Sequence, residues 1–307
     1  MEVTIVIPVY NRAGCLLRTL DSIPTSFPII VVDNGSTDGS ATMAEDYCRQ
    51  RSGAVFATES EAGAPAARNR GLALCQTEWV YFFDSDDEFT SLPDVDGAMA
   101  AANDMICFPV QMVVDDKART RDFRPTADAA THILCAMLGT HSMLFRTEWL
   151  RSIGGWDNRC RIWNDWELGL RALLHHPRLQ WIDDEPRHRI KIHGDSITGP
   201  SYSARWQRIV GALTIARDEI RAAATVSRAS GSVCATVRRA ERAFCLRCHI
   251  VSGHLLREGH REGAAAVRAL ADASFWGRVL QCYTAHGGRG AWRIALALLN
   301  IEKYLKL

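Results

Sequence analysis

The apolar run Trp79-Val80-Tyr81-Phe82-Phe83 stops abruptly at Asp84-Ser85-Asp86-Asp87. A run of that length and composition reads as a buried strand, which puts the acids at its carboxyl end. In open α/β sheets, ligands bind in the crevice beyond the carboxyl ends of the strands, and closely spaced carboxylates there suit a hard divalent cation carrying phosphate. A polar turn with a helix cap has the same composition. An EF-hand is excluded, because a loop starting at Asp84 would need Gly at its sixth position and Glu at its twelfth, where Phe89 and Val95 stand.

The preceding residues repeat one pattern. Val3 to Val9 is a β-branched run of strand length, followed by Tyr10-Asn11-Arg12-Ala13-Gly14 and then Leu16, Leu17 and Leu20 at helical spacing. Pro28 to Val32 ends in Asp33-Asn34-Gly35-Ser36-Thr37-Asp38, a turn able to cap a helix from about Ser40 to Arg51. Val55-Phe56-Ala57 offers a third strand, and Pro65 to Leu74 a third helix. The order β-α-β-α-β-α-β predicts a parallel sheet with helices on both faces, and right-handed crossovers bring Asp33 and Asp84 to one edge. By itself Asp33 also fits a helix-capping turn.

Five ordered blocks resemble the family 2 glycosyltransferases, which have the nucleotide-diphospho-sugar transferase (GT-A) fold. They are Val6-Ile7-Pro8-Val9-Tyr10-Asn11, Ile30 to Asp38, Gly63 with Ala67-Arg68-Asn69-Arg70-Gly71, Phe82 to Asp87, and Gly154-Gly155-Trp156-Asp157 with Asn164-Asp165-Trp166-Glu167-Leu168. The resemblance covers about residues 1 to 200. It implies a Rossmann-like, mostly parallel sheet flanked by helices, with a catalytic domain over 1–200 and a mainly helical extension over 201–307.

The same resemblance assigns roles. Pro8, Tyr10, Asn11 and Ser85 line the donor site, Asp33 contacts the base or ribose, and Asp84 is a second nucleoside contact. Asp86 is the metal-bound member of the DxD motif, with the role of Asp87 open. Oxygen ligands argue for magnesium or manganese over zinc. Asp165 stands where the family carries its catalytic base, although Asn164 replaces the usual Glu beside it; without the resemblance, Asp165 is an acid favoured by a helix amino terminus. His193 resembles a histidine near the diphosphate or metal, and is equally an ordinary loop residue. Arg68 is a donor contact or a packing residue. The implied reaction is a single inverting displacement, with no covalent enzyme intermediate.

Composition agrees with one sizeable α/β core plus an appendage: 307 residues, 47% hydrophobic. Ten cysteines are scattered without a small-domain disulfide framework and read as reduced thiols. Cys245-Leu246-Arg247-Cys248-His249 matches the haem-attachment pattern, yet it falls in an expected helix and no second CxxC completes a zinc site. Acidic Met1-Glu2 and the interrupted apolar run behind it do not resemble a signal peptide, so a cytoplasmic location is expected.

Residues 201–307 carry 17 Lys plus Arg against 7 Asp plus Glu, whereas the first 200 carry 19 against 28. Helices are expected at about 203–223, 235–256, 260–272 and 289–305. In the last, Trp292, Ala295, Leu296, Leu299, Tyr304 and Leu305 form apolar surface beside Arg289, Arg293, Lys303 and Lys306, a pattern that packs on its own domain or lies in an anionic membrane interface. The partners expected are a UDP-sugar donor and a saccharide or lipid-linked saccharide acceptor, with peripheral contact to the inner face of the cell membrane as one reading of the basic tail, and no nucleic acid. A nucleotidyltransferase of similar fold would carry a Gly-rich phosphate loop after strand one, and an oxidoreductase would carry GxGxxG there; the chain has Tyr10 to Gly14 instead. A non-catalytic nucleotide-sugar-binding protein is the remaining alternative. Against it, Asp33, Asp84, Asp86 and Asp165 are all present.

Overall fold

A computed structural model describes residues 2–114, 117–120, 128–182, 185, 188–191, 201–229 and 235–305. Its first part follows the expected alternation: β1 (Val3–Val9), α1 (Leu16–Ser22), β2 (Ile29–Asp33), α2 (Ser40–Gln50), β3 (Ala54–Thr58), α3 (Ala64–Leu74) and β4 (Trp79–Phe82). The short strand β5 (Glu88–Phe89), α4 (Gly97–Ala102), β6 (Met105–Cys107), β7 (Gln111–Val114) and β8 (Lys117–Thr120) come next. They are followed by α5 (Ala129–Cys135), a 3-10 turn (Thr140–Ser142), β9 (Met143–Arg146), α6 (Thr147–Ser152), α7 (Asn164–Leu174), β10 (Leu179–Trp181) and β11 (His188–Lys191). Five helices complete the chain: α8 (Trp206–Ala229), α9 (Ala235–Arg257), α10 (Arg261–Arg268), α11 (Phe275–Ala285) and α12 (Ala291–Leu305).

Seven strands form one mostly parallel sheet in the order β10-β6-β9-β4-β1-β2-β3, with β9 antiparallel to both neighbours. Ile5, Val6, Ile7, Val31, Val32, Tyr81 and Phe82 are all wholly or almost wholly buried, as strands covered on both faces require. Each such side chain contributes about 1.5–3 kcal/mol of burial free energy. Helix α3 lies so close to β1 that a Cβ on Gly71 would meet Val6 Cγ1 at 2.3 Å. Only glycine permits that approach.

Strand β1 sits between β2 and β4, so the chain winds outward to β3 and then returns to the other side of β1. That reversal opens a crevice beyond the carboxyl ends of β1 and β4. Because β9 runs antiparallel to β4, pairing Leu144 with Tyr81, the 3-10 turn before β9 lies at the same edge. A smaller sheet, in the order β5-β11-β7-β8, pairs His188 with Phe89.

The chain divides into two compact units. The first comprises residues 1–125, 138–158 and 177–196 and holds both sheets; the second comprises 126–137, 159–176 and 197–307. Helices α5 and α7, which precede residue 200, therefore belong with the carboxyl-terminal helices. In the second unit α9 is central, in contact with α5, α8, α10, α11 and α12. The helix expected over 260–272 ends at Arg268, and α11 forms where no helix was expected. Its inward residues are Gly277, Leu280, Gln281 and Thr284, of which only Leu280 is large and apolar.

Candidate active site

The acidic turn is held from below by a hydroxyl. Thr19 Oγ1 of α1 lies 3.0 Å from the Ser85 carbonyl oxygen and 2.9 Å from that of Asp87, giving buried turn carbonyls a donor. Ser85 and Asp87 are buried, while Asp84 and Asp86 are partly open. Three carboxylates in four residues would repel one another, and a cation from a different element answers each. Arg68 Nη2 of α3 donates to Asp84 Oδ1 at 2.7 Å. His141 Nε2, from the 3-10 turn, lies 2.7 Å from Asp87 Oδ2 and 3.5 Å from Asp84 Oδ2. The shorter contact is primarily an ion pair, its N–H not squarely aimed at the oxygen. Arg12 Nη2 reaches Asp86 Oδ2 at 3.2 Å.

These pairings set the charges. Burial would raise the Asp84 pKa, but Arg68 and then His141 outweigh it and hold the carboxyl below its usual value. Asp86 moves the other way, raised by burial and by its neighbours Asp84 and Asp87. Burial would lower the His141 pKa, yet Asp87 and Asp84 raise it to about 9, which favours the imidazolium at neutral pH. One ligand atom each from Asp84, Asp87 and His141 lie within 4.8 Å of one another, a set of two carboxylates and one imidazole compatible with a divalent cation. Asp86, the expected metal ligand, is outside this group and paired with Arg12. His193 lies outside the described residues.

Asp33 ends β2 beside Val9 of β1. Its Oδ2 accepts from the backbone N–H groups of Gly35 at 3.0 Å and Ser36 at 3.1 Å, whereas Oδ1 is buried with no partner among the described residues. A buried carboxylate oxygen left unmatched costs free energy that a bound donor would return. The loops after β1 and β2 are laced together. The Asn11 N–H donates to Ser36 Oγ at 3.0 Å, the Thr37 N–H to Asn11 Oδ1 at 2.8 Å, and the Arg12 N–H to Ser40 Oγ at 2.7 Å. Asn11 holds φ at +51°, an uncommon backbone state for a non-glycine residue that this lacing fixes. Pro8 pairs with Val32 in the sheet, and the Tyr10 ring projects outward, 58% exposed.

Arg68 is buried between Asp84 and the face of Trp156, with Cζ 4.4 Å from the ring centroid. Asn69 fixes that ring's backbone: Nδ2 donates to the Trp156 carbonyl at 2.7 Å and Oδ1 accepts from its N–H at 2.9 Å. The Arg-Asn pair of one sequence block and the Gly-Gly-Trp of another thus form one support beneath Asp84. His141 is the site residue that sequence reasoning missed. Its only signal was its place just before a strand, and the antiparallel pairing of β9 with β4 is what turns it toward the acids.

In the second unit, Asp165 opens α7. Its Oδ1 accepts from the Trp166 N–H at 2.8 Å, and the residue is half-buried. Glu167, two residues on, is fully buried and bonded to Arg171 through Nε at 2.8 Å and Nη2 at 3.2 Å, a poor arrangement for proton transfer. Trp163 stands at the helix amino terminus with φ +56°. Its ring and that of Trp166 enclose the buried guanidinium of Arg247, at 4.8 and 4.2 Å, with Trp292 at 5.2 Å. Burial pushes the Arg247 pKa down to about 10. The CxxC containing Arg247 lies inside α9 with both thiols unpaired, Cys248 fully buried and raised far above its usual value by burial.

Residues 4–154 match the family model described as glycosyl transferase family 2. Glycosyltransferase GlyA of Streptococcus pneumoniae is 37% identical over 90 residues, which is 28% of this chain and 13% of that protein. The uncharacterised glycosyltransferase YibD of Escherichia coli is 27% identical over 158 residues, 49% of this chain and 43% of that protein. A poly(ribitol-phosphate) beta-glucosyltransferase of Bacillus spizizenii is 34% identical over 95 residues, 28% and 15% respectively. The chain thus spans less than half the length of these relatives. Staphylococcus aureus TarS 1-349, solved with UDP, superposes with a TM-score of 0.59 at 16% identity, covering 96% of this chain and 90% of that one. Its complex with UDP-GlcNAc gives 0.57 at 16%, covering 94% and 93%. At such identity the likeness establishes the fold, which is that of the GT-A transferases. Through residues 4–154, this chain belongs to glycosyl transferase family 2, a family of transferase enzymes.

Proposed function

We propose that the chain is an inverting, metal-dependent hexosyltransferase that moves a sugar from a UDP-sugar to a hydroxyl of a saccharide or lipid-linked saccharide in surface-polysaccharide assembly. The observation that carries this reading is the paired arrangement at the sheet edge: Asp33 with an unmatched buried oxygen, and Asp84, Asp87 and His141 gathered within reach of one cation. The TarS complexes with UDP and UDP-GlcNAc and the polymer acted on by the Bacillus relative support the donor and acceptor classes.

Asp33 Oδ1 would accept from the uracil imide or a ribose hydroxyl. Pro8, Tyr10 and Asn11 would wall the nucleoside, with Ser85 contributing from the acidic turn. Asp84, Asp87 and His141 would suit manganese better than magnesium, because an imidazole nitrogen is a poor ligand for the harder ion, and Asp86 and His193 remain the ligands expected from sequence. Such a cation, when bound, stabilises the negative charge gathering on the departing diphosphate. Arg68 holds Asp84 in place. Asp165 takes the proton of the acceptor hydroxyl as that oxygen forms its bond to the anomeric carbon and the bond from that carbon to UDP breaks. A positioned carboxylate typically supplies ~10² to 10⁴ in rate by this route. A basic carboxyl-terminal region would suit peripheral contact with an anionic membrane on the cytoplasmic side, where a lipid-linked acceptor is met.

The test is to titrate UDP into the full chain with and without manganese, and then to follow UDP release over a panel of UDP-sugars and acceptors. Metal-dependent UDP binding, with release tied to one sugar and one acceptor, is expected. Equal affinity with and without metal, or tighter binding of NAD than of UDP, would overturn the reading.

A further inference from the structure

Helix α11 is turned inside out for a surface helix. Its inward face is Gly277, Leu280, Gln281 and Thr284, packed on α9 so closely that a Cβ on Gly277 would lie 2.2 Å from the His249 ring. Its large apolar side chains point the other way: Phe275 is 65% exposed, Trp276 48%, Val279 43% and Tyr283 41%. At 100° per residue these four fall within a single 100° stripe, the width of a normal core-facing stripe. Here that stripe faces away from the protein. Ile294 of α12, 40% exposed, belongs to the same pair of contacting helices. The Tyr283 hydroxyl donates to the Arg289 carbonyl at 2.8 Å, so the stripe is rigidly joined to the turn before α12.

In the terminal helix, by contrast, part of the apolar surface expected from sequence is turned inward. Ala291, Ala295 and Leu299 are buried, and Trp292 lies against Arg247. Membrane contact through those positions is closed off by packing.

We propose that the outer face of α11 is the surface by which this protein lies in the interface of an anionic lipid bilayer. The occupant follows from the chemistry present. Phe, Trp and Tyr side by side are the residues that settle at the lipid headgroup level. Exposed Arg278 on the edge of the stripe, with exposed Arg289 and Arg293 beyond Tyr283, supplies cations where acidic headgroups would stand, within a carboxyl-terminal region whose surplus of basic residues is large. A second protein copy would bring the same arginines together and place like charges face to face. The inference rests on the proposed membrane contact and replaces α12 by α11 as its agent.

The experiment uses the full chain with vesicles of phosphatidylcholine alone or mixed with phosphatidylglycerol, read by co-sedimentation at low and high salt, alongside light scattering for oligomeric state. The protein should bind the acidic vesicles and leave them as salt rises. F275S/W276S should weaken binding by about tenfold or more, with UDP affinity unchanged and the melting temperature nearly so, because Phe275 is mainly and Trp276 about half in solvent. Val226→Ser on α8, which removes an apolar side chain 73% exposed elsewhere, should bind like the parent. If the parent fails to bind acidic vesicles, the proposal falls together with the membrane contact it rests on. If F275S/W276S binds as well as the parent, the α11 assignment falls while membrane contact stands. If the double variant instead dissolves a dimer that the parent forms, the face is a protein interface and the proposal is overturned.

Discussion

One cluster of the first unit and one cation of the second bury charge in opposite ways. In the first, Asp84, Asp86 and Asp87 crowd one turn, and Arg68, His141 and Arg12 are brought to them from three separate elements. In the second, the guanidinium of Arg247 is sunk among the rings of Trp163, Trp166 and Trp292, its Nη1 donating to the Ile133 carbonyl. Paired charges in a cluster can exchange partners when a cation or diphosphate arrives, so the first arrangement is suited to binding. A cation held by π faces and a carbonyl has no such partner to trade among the described residues, and its part is to tie the start of α7 to α9. The Trp163–Trp166 segment it holds carries Asp165.

The comparison is broken most directly at Asp165. Asp165→Asn keeps the side chain's size and helix-capping capacity, so transfer should fall by about 10² or more while UDP–manganese affinity is kept. Steady-state transfer measured beside UDP titration decides it; full activity, or loss of UDP binding, would remove Asp165 as the base. Next comes Arg68→Met, which takes from Asp84 its nearest cation and leaves only the more distant His141 and Arg12. Denaturant melts should show a loss of about 3 kcal/mol, the low end for a broken buried pair because Asp84 is a third exposed.

His141 gives the pH dependence. Its folded pKa is raised from 6.5 to about 9, so the stability it contributes is fully present below 6.5 and is lost as pH rises through about 9. The contribution is on the order of 3 kcal/mol, and His141→Gln should flatten that slope in metal-free protein. A cation that takes the imidazole must displace its proton, so manganese affinity should tighten over the same rise in pH.

Two smaller effects sharpen the contrast. Asp87→Asn should weaken manganese-dependent UDP binding by about tenfold or more, and Asp86→Asn by less, because Asp87 shares the cluster with His141 whereas Asp86 is paired with Arg12. Isothermal titration of both variants separates them, and the reverse order would return the metal to Asp86. Arg247→Met should change stability by only about 1 kcal/mol, since the desolvation it relieves offsets the lost cation–π contacts. A loss as large as that of Arg68→Met would show that aromatic rings compensate a buried cation as strongly as a carboxylate does.

Local pattern alone placed β1 to β4, the carboxyl-end positions of Asp33 and Asp84, and the helix opened by Asp165, because each depends on a short apolar run and the polar residue that ends it. Composition likewise showed the basic carboxyl-terminal region. The partners of those acids depend on contacts distant in sequence. His141 meets Asp87 only because β9 enters the sheet antiparallel beside β4, and Arg68 is pinned only because Asn69 reaches 87 residues along the chain to Trp156. Periodicity is silent about such pairings, since it reports which face of an element is apolar and not what meets it. Helix α11 is the extreme case. Its apolar stripe is present in the sequence, but only the packing of Gly277 and Thr284 against α9 decides that the stripe faces outward. A glycine and a threonine win the inward position because α9 approaches too closely there for anything larger.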